Sequence, residues 1–555
     1  MKETLIHIVR QAALAAYAAG DLNSEAFGDI AIDEPKIAAH GDFATNVALS
    51  GASVQKMPPR KIAEAIIRHI DDPENIIRKT EIAGPGFINF FISPGAWLPV
   101  LKAVHEKGPL FGAVNLGMGR RVQVEFVSAN PTGPLHVGHG RGAVVGDALA
   151  SILNFCGFIT DREYYINDAG RQIRTLGLSV YLRMLELSGR PAVFPDDAYQ
   201  GEYIYDIARS LLDENPSALL SMDEEEAVAT CARYAARQIL EEIRSDLERL
   251  GIGFDTWFSE QDLYDSGKVD ASIRQLLEKD LAYVSEGATW FKSSLFGDEK
   301  DRVIVRGNGL TTYFASDIAY HMDKYNRGYD RVIDVWGADH HGYVPRLTAA
   351  VKAMGFQAEQ FRVVLAHLVN LVRQGEPVSM STRAGQFVTL KEVIDEVGVD
   401  AARFIFLTRH HESPLDFDLE LAKQKTNDNP VYYVQYVYAR ISSIIKKAAA
   451  EHGISTHDID DDALERLIEP EEIQLMKHFS KYPDAVAGAA EMMEPHRVAY
   501  YLMGLAAAFH AYYNKHRVLS DDAALSRGRL SLVRAVRTVI GNGLTLLGVS
   551  TPEAM

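Results

Sequence analysis

Two histidines spaced three residues apart, His136 and His139, could perform chemistry on a phosphate. Each imidazole can donate an N–H to a phosphate oxygen and so stabilise the charge that develops during displacement at phosphorus. Gly138, between them, lacks a Cβ, so a flat nucleotide base could lie against the backbone. Two histidines at this spacing are also typical of a helix start or of half a metal site, and the surrounding residues decide between these interpretations.

The residues around this pair predict a strand, a turn and a helix. Apolar and polar residues alternate from Val122 to Phe126, which is typical of a strand. Apolar residues recur at helical spacing between 138 and 155, and Gly157 can end that helix. A second alternating run at 163–168 completes the length of a βαβ unit. Anions bind at the carboxyl end of such a strand, facing the helix N-terminus, so the sequence predicts a nucleotide site there.

The run from Glu125 to Arg141, EFVSANPTGPLHVGHGR, resembles the arginyl-tRNA synthetases, and its His-Val-Gly-His core resembles the His-Ile-Gly-His signature of class I aminoacyl-tRNA synthetases. The resemblance extends over nearly the whole chain. It implies a multidomain protein with an α/β Rossmann-type parallel-sheet catalytic domain that carries an insertion, a small α+β N-terminal domain and an all-α C-terminal bundle. The expected domains are an N-terminal tRNA-contacting domain at 1–110, the catalytic domain at 118–395 with an insertion at about 190–260, and a helical anticodon-binding domain at 396–555.

Length and composition agree with several globular domains. The chain has 555 residues, enough for three or four domains, and its hydrophobic and charged fractions are ordinary for a folded protein. Its two cysteines, Cys156 and Cys231, indicate no disulfide framework, so we expect a reducing, cytoplasmic location. No apolar run reaches the roughly 18 residues that a membrane helix requires, so we expect no membrane partner.

The net charge bears on nucleic-acid binding. The formal charge of −18 argues against a nucleic-acid partner, because phosphate contacts need lysine and arginine. Residues 496–555, however, contain seven Lys or Arg and three Asp or Glu, a local balance of +4. The charge distribution therefore permits tRNA binding at the C-terminal end of the chain.

Three residues in the second half of the chain could bind a guanidinium. Glu286 lies at a predicted turn, and Tyr313 and Asp317 lie four residues apart on one side of a predicted helix. A planar guanidinium prefers carboxylates, so an acidic pair covered by a tyrosine suits an arginine side chain. From the residues alone, each acid is more typical of a cap or a surface charge. The resemblance implies that Glu286, Tyr313 and Asp317 hold the guanidinium of the substrate, and that Glu125, Ser128 and Asn130 hold its polar backbone end.

A second predicted strand end contributes to the nucleotide site. The apolar strand Val332–Trp336 is followed by Gly337-Ala-Asp-His-His-Gly342, where Asp339 could accept hydrogen bonds from ribose hydroxyls. His340 is predicted to lie near the amino acid or ATP. A His-His pair could also be half of a metal site, but no third ligand is spaced to complete it, so we predict no protein-bound metal. The predicted ATP-binding residues are Thr132, Gly133, Gly138, Gly337, Asp339, His340 and Met380.

Residues 375–390, GEPVSMSTRAGQFVTL, resemble the class I Lys-Met-Ser-Lys loop but depart from it. Ser379 and Thr382 stand where the lysines usually are. The loop therefore lacks two point charges for the β- and γ-phosphates, and other cations must replace them. We predict that Arg383, or a base in Arg120-Arg121, supplies the missing charge. The predicted catalytic residues are His136, His139, Ser381 and Arg383.

Two regions are predicted to contact tRNA. In the first domain, Gly41–Ala48 and the Gly-Pro-Gly hairpin at 82–91 resemble the N-terminal domain of the family, and the predicted contacts are Asn46 and Phe87. In the last domain, Pro495–Arg497 and Phe509–Arg517 resemble the anticodon-binding bundle of the family. Exposed tyrosines there could stack on unpaired bases. A bundle core would also require aromatic residues here. The predicted contacts are Tyr512, Tyr513 and Asn514.

The resemblance implies that the chain is an ATP-dependent arginine–tRNA ligase. Its partners would be L-arginine, ATP with Mg²⁺ on the phosphates, and tRNA(Arg), whose 3′-terminal adenosine receives the arginyl group. The resemblance further implies that activation requires bound tRNA, and we expect a monomer. One alternative is another class I synthetase or a His-x-Gly-His nucleotidyltransferase, although the acidic pair argues against an apolar amino acid. A second alternative, favoured by the missing lysines, is a non-catalytic synthetase-like RNA-binding protein.

Overall fold

The computed structural model describes residues 1–214, 219–378, 388–453 and 460–555. The chain folds as two compact units. One unit contains Met1–Phe111, Ile441–Tyr482 and Ala507–Val539, and the other contains Gly112–Arg440, Pro483–Ala506 and Ile540–Met555. Three predicted site residues, Met380, Ser381 and Arg383, lie outside the described residues, as do the two departures at 379 and 382.

The first part of the chain forms short helices around a small sheet. Its elements are α1 (Lys2–Ala18), β1 (Phe43–Thr45), α2 (Val47–Ser50), α3 (Ala52–Gln55), α4 (Pro59–Arg68), β2 (Ile77–Ala83), β3 (Phe87–Ile92) and α5 (Leu98–Lys107). The strands are antiparallel in the order β1-β3-β2. The predicted hairpin is confirmed, and its turn contains Gly84 and Gly86 at φ +51° and +149°, a region that favours glycine.

The middle of the chain builds the central sheet. Its elements are β4 (Arg121–Glu125), α6 (Val137–Phe155), β5 (Ile159–Ile166), α7 (Arg171–Leu187), α8 (Glu202–Glu214), α9 (Glu224–Arg249), β6 (Thr256–Ser259), α10 (Glu260–Asp265), α11 (Lys268–Glu278), β7 (Ala282–Ser285), β8 (Ala288–Phe291), β9 (Arg302–Val305), α12 (Tyr313–Asn326), β10 (Arg331–Gly337), α13 (Val344–Ala353) and β11 (Phe361–Ala366). Five of these strands are parallel, in the order β11-β10-β4-β5-β6. The chain runs outward from β4 on one side and from β10 on the other. Strands β4 and β10 therefore flank the topological switch point, where ligands bind in sheets of this type.

The central strands are buried on both faces, as parallel strands usually are. Val122, Val124, Val332 and Ile333 are fully buried. Helix α6 packs directly on β4, and a Cβ built on Gly146 would lie 2.3 Å from Cγ of Phe126. The absence of a side chain at 146 thus allows the helix to approach the strand closely.

Strand β6 lies within the range predicted for the insertion. Helices α8 and α9 lie between β5 and β6, inside the range of about 190–260 predicted for the insertion. The last residues of that range form β6, Thr256–Ser259, which pairs with β5 in the central sheet. The prediction missed this strand because its four residues are half-buried and show no alternation.

The remaining elements complete both units. A separate antiparallel sheet has the order β7-β8-β9, and a third small sheet follows β11. The later elements are β12 (Val369–Arg373), β13 (Glu376–Pro377), α14 (Leu390–Val397), α15 (Val399–Phe406), β14 (Leu415–Asp418), α16 (Leu419–Lys423), α17 (Pro430–His452), α18 (Asp461–Leu464), α19 (Pro470–Met492), α20 (His496–Lys515) and α21 (Ala523–Leu546). Among the described helices, none is long and apolar enough to cross a membrane.

Candidate active site

A cavity of about 340 Å³ lies beyond the carboxyl ends of β4, β5, β6 and β10. We call it the acidic cavity because Glu125, Glu260 and Asp317 all line it. Each acid comes from a different element: Glu125 ends β4, Glu260 follows β6 directly, and Asp317 lies on the first turns of α12. The parallel sheet therefore gathers at one edge three acids that are far apart in the sequence.

Two of these acids have no cationic partner among the described residues. Glu260 is 3% exposed, and its Oε1 accepts a hydrogen bond of 2.7 Å from Ser316 Oγ. Asp317 accepts a hydrogen bond from the hydroxyl of Tyr343. Burial raises the pKa of both carboxyls, and for Glu260 the neighbouring charge of Asp317 raises it further. The partners of both carboxylates are hydroxyl groups, and neither acid forms an ion pair within the part of the chain that the structure describes, so the cavity is suited to a cation.

Aromatic side chains form the walls of the acidic cavity. Tyr165, Tyr313, Trp336 and Tyr343 all line it. Tyr313 is 54% exposed at the rim and lies four residues before Asp317 on α12, as the sequence predicts. A guanidinium is planar, stacks on aromatic rings and pairs with carboxylates through several N–H groups. This combination of walls and acids fits a guanidinium better than a compact ammonium.

The structure does not bring Glu286 to this cavity. Glu286 lies at the tip of the β7–β8 hairpin, exposed, and it does not line the acidic cavity. Glu286 and Gly287 both have positive φ, +52° and +75°, as the two central residues of a tight hairpin turn require, and the turn faces solvent. The second acid beside Asp317 is Glu260, which corrects the prediction. The sequence could have indicated Glu260 only as a carboxylate that directly follows a strand of the sheet. Because the sequence analysis did not predict β6, it did not predict Glu260 either.

Glu125 is held by two hydrogen bonds at the other end of the acidic cavity. Its Oε1 accepts from Ser128 Oγ at 2.8 Å, and its Oε2 accepts from Lys324 Nζ at 2.5 Å. Burial raises the pKa of Glu125, while the buried Lys324 opposes that rise. Ser128 also lines the cavity, so two of the three residues predicted for the polar backbone end lie together. Asn130 does not line it, and instead donates to Gln172 Oε1 at 2.5 Å.

His136 and His139 form the N-terminus of α6. His136 Nδ1 accepts the backbone N–H of Gly138 at 3.1 Å, and His139 Nδ1 accepts the backbone N–H of His136 at 3.3 Å. Burial lowers the pKa of His136, and burial together with the neighbouring His136 lowers the pKa of His139 to about 3. Both imidazoles are therefore neutral at physiological pH and carry their proton on Nε2, which is the donor that a phosphate oxygen needs.

A fully buried arginine holds α6 in place. Arg141 donates to the backbone carbonyls of His367 at 2.9 Å, Ser413 at 2.7 Å and His410 at 2.9 Å. Burial lowers the pKa of its guanidinium to about 10, so the group is still charged at neutral pH. These three carbonyls precede β12 and β14, and the helix that carries His136 is thereby attached to both segments.

The other predicted nucleotide contacts lie at the ends of β4 and β10. The carbonyl of Thr132 accepts a hydrogen bond of 2.7 Å from Tyr203 Oη on α8, and that ring also packs against Gly133. Gly337 ends β10 and His340 follows it, both line the acidic cavity, and the exposed Asp339 lies between them in the sequence. The charge of Asp339 acts on the imidazole of His136, opposing the fall in its pKa. The switch point therefore brings these predicted residues together with the histidines.

The pair Arg120-Arg121 lies at the opposite end of β4 from the acidic cavity, so it cannot replace the missing lysines. Arg121 begins β4, whereas the acidic cavity lies beyond its other end, about 13 Å away for four extended residues. The guanidinium of Arg121 is also occupied, because it donates to Asp161 at 3.1 Å and to the carbonyl of Arg327 at 2.8 Å. The structure thus removes this pair from the prediction, and Arg383 lies outside the described residues.

The predicted tRNA contacts differ in exposure. Asn46 and Asn514 are exposed, Phe87 is 41% exposed, and Tyr513 is half-buried with its ring stacked on Phe509. Tyr512 is fully buried, and its ring stacks on that of His516 four residues later. The prediction for Tyr512 is therefore corrected: it faces the core side of its helix and cannot stack on a base.

A doubly wound parallel sheet with His-x-Gly-His at the first helix of its switch point, beside an amino-acid-sized cavity, defines a class I aminoacyl-tRNA synthetase. Comparison with protein families agrees. Residues 102–415 match the catalytic domain of class I tRNA synthetases (R), residues 3–92 match the arginyl tRNA synthetase N terminal domain, and residues 434–555 match the DALR anticodon binding domain.

Similar proteins specify the family further. The chain is 61% identical to the arginine–tRNA ligase of Desulfosudis oleivorans and 51% identical to that of Syntrophotalea carbinolica, and each match covers 100% of both chains. The solved arginyl-tRNA synthetase of Thermus thermophilus has the same fold, with a TM-score of 0.74 at 23% identity and 100% coverage of both chains. The chain belongs to the arginyl-tRNA synthetase family, as the sequence predicts.

Proposed function

We propose that the chain is an arginine–tRNA ligase that first uses ATP to form arginyl-adenylate and then passes the arginyl group to the 3′-terminal adenosine of tRNA(Arg). One observation carries the choice of amino acid. Two carboxylates, the buried Glu260 and the half-buried Asp317, face an aromatic cavity and form no ion pair within the described residues. A guanidinium can satisfy both acids at once, whereas an apolar side chain would cover them and leave both carboxylates without a cation.

In the bound state, the substrate arginine would span the acidic cavity. Its guanidinium would lie between Glu260 and Asp317 with Tyr313 at the rim, and its ammonium would lie near Glu125 and Ser128. This orientation leaves the substrate carboxylate directed towards the nucleotide side, where Gly337 and His340 line the cavity. A carboxylate oxygen could then attack the α-phosphorus of ATP, and pyrophosphate would leave.

The histidines would stabilise the transition state as neutral donors. The Nε2–H groups of His136 and His139, at the positive end of α6, would donate to phosphate oxygens as charge accumulates on them. No side chain needs to become a covalent nucleophile. Mg²⁺ would enter with the ATP phosphates as part of the substrate. Arg383, whose surroundings are not described, is the remaining candidate for the charge that the Lys-Met-Ser-Lys lysines supply elsewhere, and Met380 and Ser381 are proposed to act beside it.

The transfer step requires tRNA on both parts of the chain. We propose Asn46 and Phe87 as contacts in the N-terminal domain and Tyr513 and Asn514 as contacts in the helical domain, because all four are at least partly exposed. Activation is proposed to wait for bound tRNA. We also propose that the chain acts in the cytoplasm as a monomer with the three domains given above, and light scattering of the purified chain tests the monomer.

Exchange of pyrophosphate into ATP tests the function. The assay is run with every proteinogenic amino acid, with and without tRNA, on the natural chain and on Glu260→Gln and Asp317→Asn. We expect exchange with arginine when tRNA is present, and loss of at least about tenfold in kcat/KM for arginine in each variant. Exchange with a different amino acid would contradict the proposal, and so would absence of exchange under every condition.

A further inference from the structure

The connection between β4 and α6 is long and carries backbone strain. It comprises eleven residues, 126–136, whereas most connections between a strand and a helix in such units have about two to six. Val127 and Ser128 have φ of +68° and +40°, in the left-handed region that residues other than glycine adopt at a cost. Contacts with neighbouring elements must therefore hold this connection in one conformation.

Two tyrosine hydroxyls provide such contacts. Tyr164 on β5 donates from its Oη to the backbone carbonyl of Ala129 at 2.8 Å. Tyr203 on α8 donates from its Oη to the backbone carbonyl of Thr132 at 2.7 Å. Tyr164 is fully buried, whereas Tyr203 is half-buried and lies on a helix outside the central sheet. Burial raises the pKa of Tyr203, and the neighbouring Tyr199 raises it further, so this hydroxyl is protonated and can donate at neutral pH.

Two glycines make room for the ring of Tyr203. A Cβ built on Gly201 would lie 2.3 Å from Cε1 of that ring, and a Cβ built on Gly133 would lie 3.2 Å from its Oη. A side chain at 201 would therefore displace the ring, and the absence of a side chain at 133 lets the hydroxyl reach the connection.

The hydrogen bond from Tyr203 fixes the orientation of the Thr132–Gly133 peptide. This peptide is trans and planar, so its N–H points in the direction opposite to its C=O. Because the carbonyl of Thr132 faces Tyr203, the N–H of Gly133 points away from that side chain. This N–H has no hydrogen-bond partner among the residues that the structure describes. It lies three residues before His136 at the start of α6, so it is available to an anion that binds there.

We propose that Tyr203 is a positioning residue for ATP: its hydroxyl orients the Thr132–Gly133 peptide so that the N–H of Gly133 donates to a phosphate of the nucleotide. This inference rests on the proposed function, because it takes ATP as the ligand at this connection. Without the hydroxyl, the peptide rotates and presents its N–H only part of the time. The affinity for ATP then falls by the fraction of chains in which the N–H is correctly oriented.

The first test is the kinetics of Tyr203→Phe, which keeps the ring and removes only the hydroxyl. In pyrophosphate exchange with arginine and saturating tRNA, we expect KM for ATP to rise by about three- to tenfold, as for the loss of one hydrogen bond. We expect kcat and KM for arginine to change by less than about twofold, because the hydroxyl acts only on the binding of ATP. An unchanged KM for ATP overturns the proposal.

The matched control is Tyr205→Phe, on the same helix. The hydroxyl of Tyr205 accepts from Arg183 at 2.9 Å and donates to Glu186 at 3.2 Å, and both of these residues lie on α7. Tyr205→Phe therefore also removes a hydrogen-bonded hydroxyl from α8, but not one that contacts the connection. We expect KM for ATP to be unchanged in this variant. An equal rise in both variants would show a general effect of altering α8 and would overturn the proposal.

The second test compares ATP with adenosine, which has no phosphate. Calorimetry on the full-length chain, without arginine or tRNA, measures the affinity for ATP, and displacement of ATP measures that for adenosine. Tyr203→Phe should weaken ATP binding by about three- to tenfold and adenosine binding by less than about twofold. An equal loss for both ligands would show that the whole site is distorted, and it would overturn the proposal.

The two tests separate this proposal from the function it rests on. If the natural chain exchanges pyrophosphate with arginine but Tyr203→Phe binds ATP as the natural chain does, only the role of Tyr203 fails. If the natural chain shows no exchange with arginine, the proposed function fails, and the calorimetry still decides the role of Tyr203. A natural chain that binds no ATP contradicts both.

Discussion

The rings of His136 and His139 stack with centroids 3.7 Å apart, and each Nδ1 accepts a backbone N–H of the same helix N-terminus. The stack sets both rings side by side with Nε2 as the protonated nitrogen. Backbone N–H donors to Nδ1 thus fix the tautomer of each histidine, and this arrangement does not require a carboxylate. The pair acts as an extension of the helix N-terminus that reaches further towards a ligand than backbone N–H groups can.

Replacing either histidine should slow activation without weakening ATP binding greatly. We expect His139→Leu and His136→Leu each to lower kcat for pyrophosphate exchange by about a hundred- to a thousandfold, which is typical of losing one preorganised donor. KM for ATP should change by less than about threefold, because the donors act mainly in the transition state. Steady-state exchange measures both constants. A variant that raised KM for ATP at unchanged kcat would show that the histidine only binds ground-state ATP.

Binding of arginine should depend on pH because the acids of the cavity must be ionised to hold a guanidinium. Burial raises the pKa of Glu260 and Asp317 when no cation is bound, and a bound guanidinium would lower both values. Arginine binding therefore releases protons, and affinity should increase as pH rises through the raised pKa values of the unliganded acids. Calorimetry in buffers of different ionisation enthalpy measures the release. Asp317→Asn should release fewer protons, and proton uptake by the natural chain would contradict this assignment.

The nucleotide half of the site could be predicted from sequence because it is local. His136, Gly138 and His139 lie within one strand-turn-helix, and the alternation before it and the helical spacing after it fix their position at a helix N-terminus. The amino-acid half depends on strand order. Glu260 reaches the acidic cavity only because β6 pairs with β5, and a half-buried strand of four residues leaves almost no pattern in the sequence.

Buried partners are equally hard to see in the sequence. Lys324 and Asp334 look like an ordinary surface lysine and a strand acid, yet both are fully buried and bonded to each other. The spacing of apolar residues shows which face of a helix or strand points inward. A buried charged residue interrupts that spacing, so its position is predicted to be exposed. Tyr512 is the opposite case, since an aromatic residue near arginines resembles a base-stacking residue but faces the core.

Two glycines on α6 form a matched pair for testing how the helix approaches the sheet. A Cβ at Gly146 would lie 2.3 Å from Cγ of Phe126, whereas a Cβ at Gly142 would meet nothing within 4 Å. We expect Gly146→Ala to lower the free energy of unfolding by about 1–3 kcal/mol through overpacking. Gly142→Ala should raise it by about 0.5–1 kcal/mol, because alanine favours the helix. Urea unfolding measures both, and equal effects of the two substitutions would refute the close contact.

The buried and exposed residues at the end of α20 should separate stability from tRNA binding. Tyr512 is fully buried, and its hydroxyl has no hydrogen-bond partner among the described residues, so Tyr512→Phe should change the free energy of unfolding by less than about 1 kcal/mol. Tyr512→Ala should lower it by about 3–5 kcal/mol, because it leaves a cavity. Affinity for tRNA should be unchanged in Tyr512→Phe but reduced in Asn514→Ala, whose side chain is exposed. Filter binding of labelled tRNA measures this affinity. A larger loss of affinity in Tyr512→Phe than in Asn514→Ala would show that Tyr512 contacts tRNA after all.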